Sequence, residues 1–197
     1  MHAACYPAAM ADPGRRPARN EDLAALPANV VGEILADELV ASPRPSPQHA
    51  AAAMGVSATL GPPFHFGDGG PGGWWILPEP EVHLGENVVV PDLAGWRRAR
   101  VPTLPDSPYL ALAPDWVCEI LSPSTTRLVR VRKMPVYAAH GVHHLWHIDP
   151  TARTLEVYRN DGEHWVLLGT HDSDDEVRAE PFEGLALRLA RWWGEPG

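Results

Sequence analysis

Glu119 stands inside the apolar stretch Trp116, Val117, Cys118, Ile120 and Leu121, within PDWVCEILSPSTTRLVRVRK at residues 114–133. An ionised carboxylate among apolar side chains is costly unless a positive group meets it, so this position calls for a metal ion, a nearby lysine, or both. Strand alternation sets Val117, Glu119 and Leu121 on one face and Trp116, Cys118 and Ile120 on the other. Asp92 closes a second apolar run, VVVPD. If the two strands are neighbours their carboxylates meet. Such a pair suits a hard divalent ion such as Mg²⁺, with water and substrate phosphate completing the shell. Lys133 follows in a segment that reads as a helix folding back across the strand end. Beside a metal-bound phosphate, its ammonium would orient or deprotonate the attacking water and stabilise charge on the phosphoryl oxygens. The plainer reading is a surface lysine on a basic face. Glu33 and Glu81, both in strand-like segments, are accessory acids of the same site or solvent-facing residues.

Basic residues flank both acidic positions. GWRRAR at 95–100 and RLVRVRK at 127–133 hold seven of the sixteen Lys and Arg side chains. Arg97, Arg98, Arg100, Arg130 and Arg132 are therefore candidates for holding a phosphate backbone, against the alternative of a solvated face. His140, His143, His144 and His147 crowd HGVHHLWH, but strand alternation sends 143 and 147 one way and 144 the other. No cysteine joins them, so surface or satisfied histidines are favoured over zinc. The glycine-rich GDGGPGGWW lacks the Lys-Ser/Thr ending of a P-loop and precedes a strand; it reads as a flexible loop. Most tryptophans read as core or interface, with Trp96 beside Arg97 and Arg98 the one to watch for base stacking.

The elements that must position these groups follow from periodicity and punctuation. DLAALP predicts a helical turn, and VVGEILADELVASP a hairpin turning at Ala36-Asp37. SPQHAAAAMGVSATL predicts the first major helix, with Ser46 as cap and Pro47 in its first turn. PPFHFGDGGPGGW reads as loop; WWILPEPEVHL, NVVVPDLAGW and DWVCEIL read as strands. STTRLVRVRKMPVYAAHG predicts a helix broken or restarted at Pro135. HHLWHID, TLEVYRND, HWVLLGTHD and EVRAEPF predict further strands, and LALRLARWW a closing amphipathic helix. The order is that of a mixed α/β or α+β fold around one central sheet.

Together these blocks resemble a known family. VVVPDLAGWRR, APDWVCEILSPST, RVRKMPVYAAHGVHHLW, IDPTARTLEVY and RAEPF, with SPRPSPQH and GGPGGWWILPEPEVHLG before them, are similar to the Uma-type restriction endonuclease family of the PD-(D/E)XK nuclease superfamily. The similarity runs over roughly residues 20–193. It implies a restriction-endonuclease-like central mixed sheet flanked by helices, and metal-dependent hydrolysis of phosphodiester bonds with Mg²⁺ or Mn²⁺. By the resemblance Asp92 is the motif aspartate and Glu119 the motif glutamate, together holding the metal, and Lys133 is the motif lysine. The standard pattern places that lysine two residues after the acid, where this chain has Leu121. His49 also matches a family position. Val129 stands where the family commonly has Asp, and Asp37 where it commonly has Gly. DNA is the implied substrate, with RNA left open, and cutting both strands of a duplex implies a homodimer. The competing class is a binding or interaction module that keeps the fold without the reaction; a third is an enzyme acting on another phosphate ester.

The totals are compatible with this. The 197 residues carry a formal charge of −9, which argues against a protein that simply coats nucleic acid but not against a local basic patch. The expected organisation is a disordered N-terminal segment, 1–20, and a single domain, 21–197. No run of eighteen apolar residues and no signal peptide is seen, so the expected location is the cytoplasm, without membrane contact. Cys5 and Cys118 lie in dissimilar contexts and are not expected to pair.

Overall fold

The computed structural model describes residues 16–194. Most of the segment expected to be disordered, and Cys5 with it, lies outside those residues. Residues 16–20 are tied down: Arg16 pairs with Asp22 at 2.5 Å, and the Ala18 N–H donates to the Asp37 carbonyl at 2.8 Å.

After a short helix, α1 (Asn20–Ala24), strands β1 (Val30–Leu35) and β2 (Glu38–Pro43) form the expected hairpin. Ala36 and Asp37 at its turn have φ of 49° and 64°, the left-handed pair that a two-residue hairpin turn requires. Helix α2 (Pro47–Leu60) begins as anticipated, with the Ser46 hydroxyl accepting the His49 N–H at 3.2 Å. The chain then departs from expectation. Gly61–Phe66, read as loop, carries the helix onward in π form until Gly67 at φ 84° ends it.

Two segments expected as continuous strands are each divided. β3 (Trp74–Pro78) is separated from β4 (Val82–Leu84) near Pro80, and β5 (Asn87–Val89) from β6 (Leu93–Arg97) at Pro91. Proline has no N–H for the ladder, so the chain leaves one sheet there and enters another. β7 (Trp116–Ile120) follows and is buried throughout. A composite helix comes next: α3 (Thr126–Leu128), a π turn at Val129–Lys133, and α4 (Met134–Ala139). Then come β8 (His144–Asp149), β9 (Thr154–Asn160), β10 (Trp165–Asp172), β11 (Glu176–Val177) and β12 (Leu187–Arg188). The expected final helix is instead β12 with a single 3₁₀ turn, Leu189–Trp192. Leu185, Leu187 and Leu189 recur every second residue, which is the strand period.

The strands make a four-stranded sheet in the order β2-β1-β5-β4, a six-stranded mixed sheet in the order β10-β9-β8-β7-β6-β3, and the small β11-β12 pair. β7 and β8 are parallel, joined by the composite helix, and the other pairs are antiparallel. Trp116, Cys118 and Ile120 pack with Ala52, Val56 and Leu60 of α2 in one core; Val117 joins Leu35, Trp96, Tyr137 and Leu145 in a second, on the opposite face. Glu119 shares the face of Val117, and the composite helix and four-stranded sheet cover it. Among the described residues no helix is long and apolar enough to cross a membrane.

Candidate active site

Sheet register brings the two acids together. Leu93 of β6 pairs with Cys118 of β7, so Asp92 sits beside Glu119 at the end of the ladder. Asp92 Oδ2 accepts the Ile120 N–H at 2.6 Å, and its Oδ1 lies 3.1 Å from His49 Nε2. Pro91 accounts for this position: it releases the chain from β5 so that Asp92 enters β6 from between the two sheets.

Lys133 reaches the same place from the composite helix. Its ammonium is 2.7 Å from Glu119 Oε1 and 2.9 Å from Glu33 Oε1, and it donates to the Val90 carbonyl at 3.1 Å. An ammonium has three N–H donors, and these three partners satisfy it. Glu33, from β1, also accepts the Val90 N–H at 2.8 Å through Oε1, which ties the four-stranded sheet to the site. Sequence reading did not single out Tyr137. It is fully buried, and its hydroxyl donates to Glu119 Oε1 at 2.5 Å. Lys133 and Tyr137 thus converge on one oxygen of Glu119, and among the described residues no hydrogen bond to Oε2 is seen. The four-residue spacing of Lys133 and Tyr137 on a helix was the available signal.

Two carboxylates, Glu33 and Glu119, share one ammonium here with Asp92 close by, and the electrostatics reflect it. Burial pushes the Glu119 carboxyl up to about 7; the Lys133 charge opposes this, and Asp92 and Glu33 add to it. Burial alone would lower Lys133, but Glu119 and Glu33 outweigh it and raise its pKa above the usual lysine value. Burial lowers the His49 imidazole, but its hydrogen bond to Asp92 and the charges of Asp92 and Glu119 together outweigh that and raise it. In the metal-free protein Glu119 and Glu33 thus hold Lys133 as a cation. Val129, buried in the π turn, does not leave the lysine adrift, because Glu33, Glu119 and Val90 hold it without an acid at 129.

Glu33, His49, Asp92, Glu119 and Lys133 all line one cleft of about 380 Å³. Ser42, Arg44, Ser46, Ser122, Ser124 and Thr125 give its walls a polar lining. Glu81 is elsewhere, accepting from His83 at 2.7 Å beside a proline-rich groove. None of the five arginines proposed for the phosphate backbone lines the cleft. Arg97 lies over the Trp74 ring. Arg98 lies over Trp75 and donates to the His65 carbonyl at 2.8 Å. Arg100 pairs with Asp115 at 2.5 Å, Arg130 with Glu156 at 2.7 Å and Arg132 with Glu38 at 2.9 Å. Arg44, unremarked in the sequence, is the arginine at the cleft, using one N–H on the Ala28 carbonyl at 2.9 Å. Trp96 is fully buried with its indole N–H on the Leu112 carbonyl, so it offers no face to a base. The histidines part company: His147 is buried and pushed down to about 4 by desolvation, while His140 bonds the Val136 carbonyl. Cys118 is a buried free thiol.

The residues suit a hard divalent ion. The cleft gathers Glu33, Asp92 and Glu119, and burial together with the two neighbouring carboxylates raises Glu119 to about 7, a disfavour of its charge that a bound cation would relieve. Among the described residues no three His, Cys, Asp or Glu side chains form a metal-holding group. Two carboxylates nevertheless meet the need of an ion such as Mg²⁺, which keeps several waters.

Comparison with known proteins places the chain beside a family and a solved structure. A family model, Uma2, described as "Putative restriction endonuclease", matches residues 21–190. A solved structure described as a "putative nuclease belonging to DUF820" from Anabaena variabilis ATCC 29413 superposes with a TM-score of 0.68 at 22% identity, covering 88% of this chain and 96% of that one. At that identity the likeness is one of fold. No curated protein matches.

Proposed function

We propose that this chain, which belongs to the Uma2 family of restriction-endonuclease-like proteins, is a metal-dependent endonuclease that hydrolyses phosphodiester bonds, with DNA as its substrate. The observation that carries the proposal is the convergence of Asp92, Glu119 and Lys133 from three separate elements on one cleft. In this reading Asp92 and Glu119 hold Mg²⁺ or Mn²⁺. Such an ion, when bound, polarises the phosphoryl group and makes water a better nucleophile. Glu119 presents its unbonded oxygen to the cleft while Lys133 and Tyr137 fix the other. The Lys133 ammonium stabilises negative charge building on the phosphoryl oxygens and does not act as a base. Glu33 keeps that ammonium in place, and His49 orients Asp92. Arg44, with most of its donors free, contacts the phosphate backbone at the cleft edge. A homodimer provides the second site that cutting both strands requires.

The test is cleavage of supercoiled plasmid, single-stranded DNA and RNA with Mg²⁺, Mn²⁺ or chelator, comparing wild type with Asp92→Ala, Glu119→Ala and Lys133→Met. Metal-dependent cutting lost in all three folded variants supports the reading. Wild type that neither cuts nor binds metal by calorimetry overturns it, leaving a binding module of the same fold.

A further inference from the structure

The six-stranded sheet has two edges, and the chain treats them differently. At the β3 edge, the His65 ring accepts the Ile76 N–H at 3.0 Å, and Arg98 donates to the Trp74 carbonyl at 3.2 Å. The π-helical segment that carries His65 thus lies along that edge and closes it. Among the described residues the β10 edge has no such cover. β10 has only β9 beside it in the sheet. Val166, Leu167 and Leu168 lie consecutively on it, 39%, 51% and 39% exposed. Its eight residues, WVLLGTHD, include no Lys, Arg or Pro, the residues by which natural edge strands discourage pairing. The register shift between Leu167 and Gly169 is a bulge, a feature that by itself works against edge pairing, but pairing to β9 is intact on both sides of it.

We infer that β10 is a self-association surface, pairing edge to edge and antiparallel with β10 of a second copy about a two-fold axis at Leu167. The sequence of the strand selects this partner because it is complementary to itself. An axis at Leu167 sets Leu167 against its own copy and Val166 against Leu168 of the partner subunit, so the three exposed apolar side chains meet one another. Moving the axis to Leu168 would put Val166 against Thr170 and Leu167 against Gly169, losing the apolar match. A two-fold contact of this kind closes on itself, so it yields a dimer and no filament. The unpaired N–H and C=O groups along the outer edge supply the hydrogen bonds, and the cross-strand apolar pairs supply the preference for this register. The inference stands apart from the nuclease reading, since none of these residues lines the cleft.

Sedimentation equilibrium of the full chain over a wide concentration range tests it. Wild type should dimerise reversibly. Leu167→Lys sets like charges against each other on the axis and should weaken association about tenfold or more, with thermal unfolding unchanged at dilutions where both proteins are monomeric, because Leu167 contributes little to the core. Val166→Lys and Leu168→Glu should each weaken the dimer, and the two together should restore it, because this register sets Val166 against Leu168 of the partner subunit. A wild type that stays monomeric overturns the inference, as does a dimer indifferent to Leu167→Lys. A monomer whose β10 amides are protected from hydrogen exchange also overturns it, because another part of the chain then covers the edge.

Discussion

Replacing Lys133 by Met keeps the bulk of the side-chain stem and removes the cation that two buried carboxylates share. The nitrogen is 2.9 Å from Glu33 and 2.7 Å from Glu119, and all three side chains are at most 4% exposed. At an effective dielectric constant of about 20, each contact is worth roughly 6 kcal/mol of Coulomb attraction, most of it offset by the desolvation of the ions. Stranding the partners of a buried pair costs about 3–5 kcal/mol, and that is the expected loss for metal-free protein at pH 8. A pH signature separates this from a packing defect. Glu119 titrates at about 7 with the lysine present, and without it the carboxyl keeps its proton to higher pH. The difference between wild type and variant therefore widens by up to about 1.4 kcal/mol per pH unit above 7, whereas a cavity has no such dependence. Urea unfolding in chelator at pH 5.5 and 8 reads both. Glu119→Gln combined with Lys133→Met should be more stable than the sum of the single changes predicts, by at least about 1 kcal/mol. A loss below about 1 kcal/mol at pH 8, with no pH dependence and additive double-variant behaviour, would refute a shared buried cation.

Other expectations follow from the same geometry. A carboxyl raised to about 7 favours the folded state most near the acid end of its titration, and that stability declines as pH rises from about 4.5 toward 7. A divalent ion needs the ionised form, so the rise in Tm produced by Mg²⁺ should be small at pH 5.5 and larger at pH 8; equal increments would exclude Glu119 as its ligand. Arg44→Ala should weaken DNA binding and lower the slope of log K against log salt by about one, whereas Arg98→Ala, whose guanidinium is engaged by Trp74, Trp75 and His65, should lower stability and leave that slope alone. Binding titrations across salt concentrations separate the two. Ala36→Asn with Asp37→Gly places the preferred residues at two left-handed positions and should stabilise the protein by about 1 kcal/mol, read by urea midpoint.

The sequence makes the acids more legible than the bases. Glu119 stands out because its strand is otherwise apolar, and Asp92 because a proline-terminated run precedes it; both signals are local, and register then joins them. Arginine placement has no comparable signal. Arg97, Arg98 and Arg100 lie close to Asp92 in sequence, but β6 carries them away along the sheet, and Asp115 and two indole rings engage them. Arg44 is distant in sequence and arrives only because α2 starts at the mouth of the cleft. Glu33 and Glu81 look alike as strand carboxylates. β1 brings the first over Lys133, whereas the second stands before β4, beyond the turn near Pro80. Proline also explains the division of the central strands, which hydrophobic patterning alone reads as continuous.

The lysine's migration from strand to helix has a local physical cause. Pro135 has no N–H to offer to the fourth residue before it, so a regular helix through this point would leave the Val131 carbonyl unpaired and in collision with the proline ring. The chain widens instead into a π turn over Val129–Lys133, in which the Met134 N–H reaches the Val129 carbonyl five residues back. Lys133 is the last residue of that turn, and with Tyr137 it meets the same oxygen of Glu119. Pro135, read from the sequence as a break or a restart of the helix, is thus absorbed by a bulge that sets Lys133 at the sheet end. An acid at 129 is dispensable for this purpose, since β1 and the Val90 carbonyl already supply the remaining partners of the ammonium.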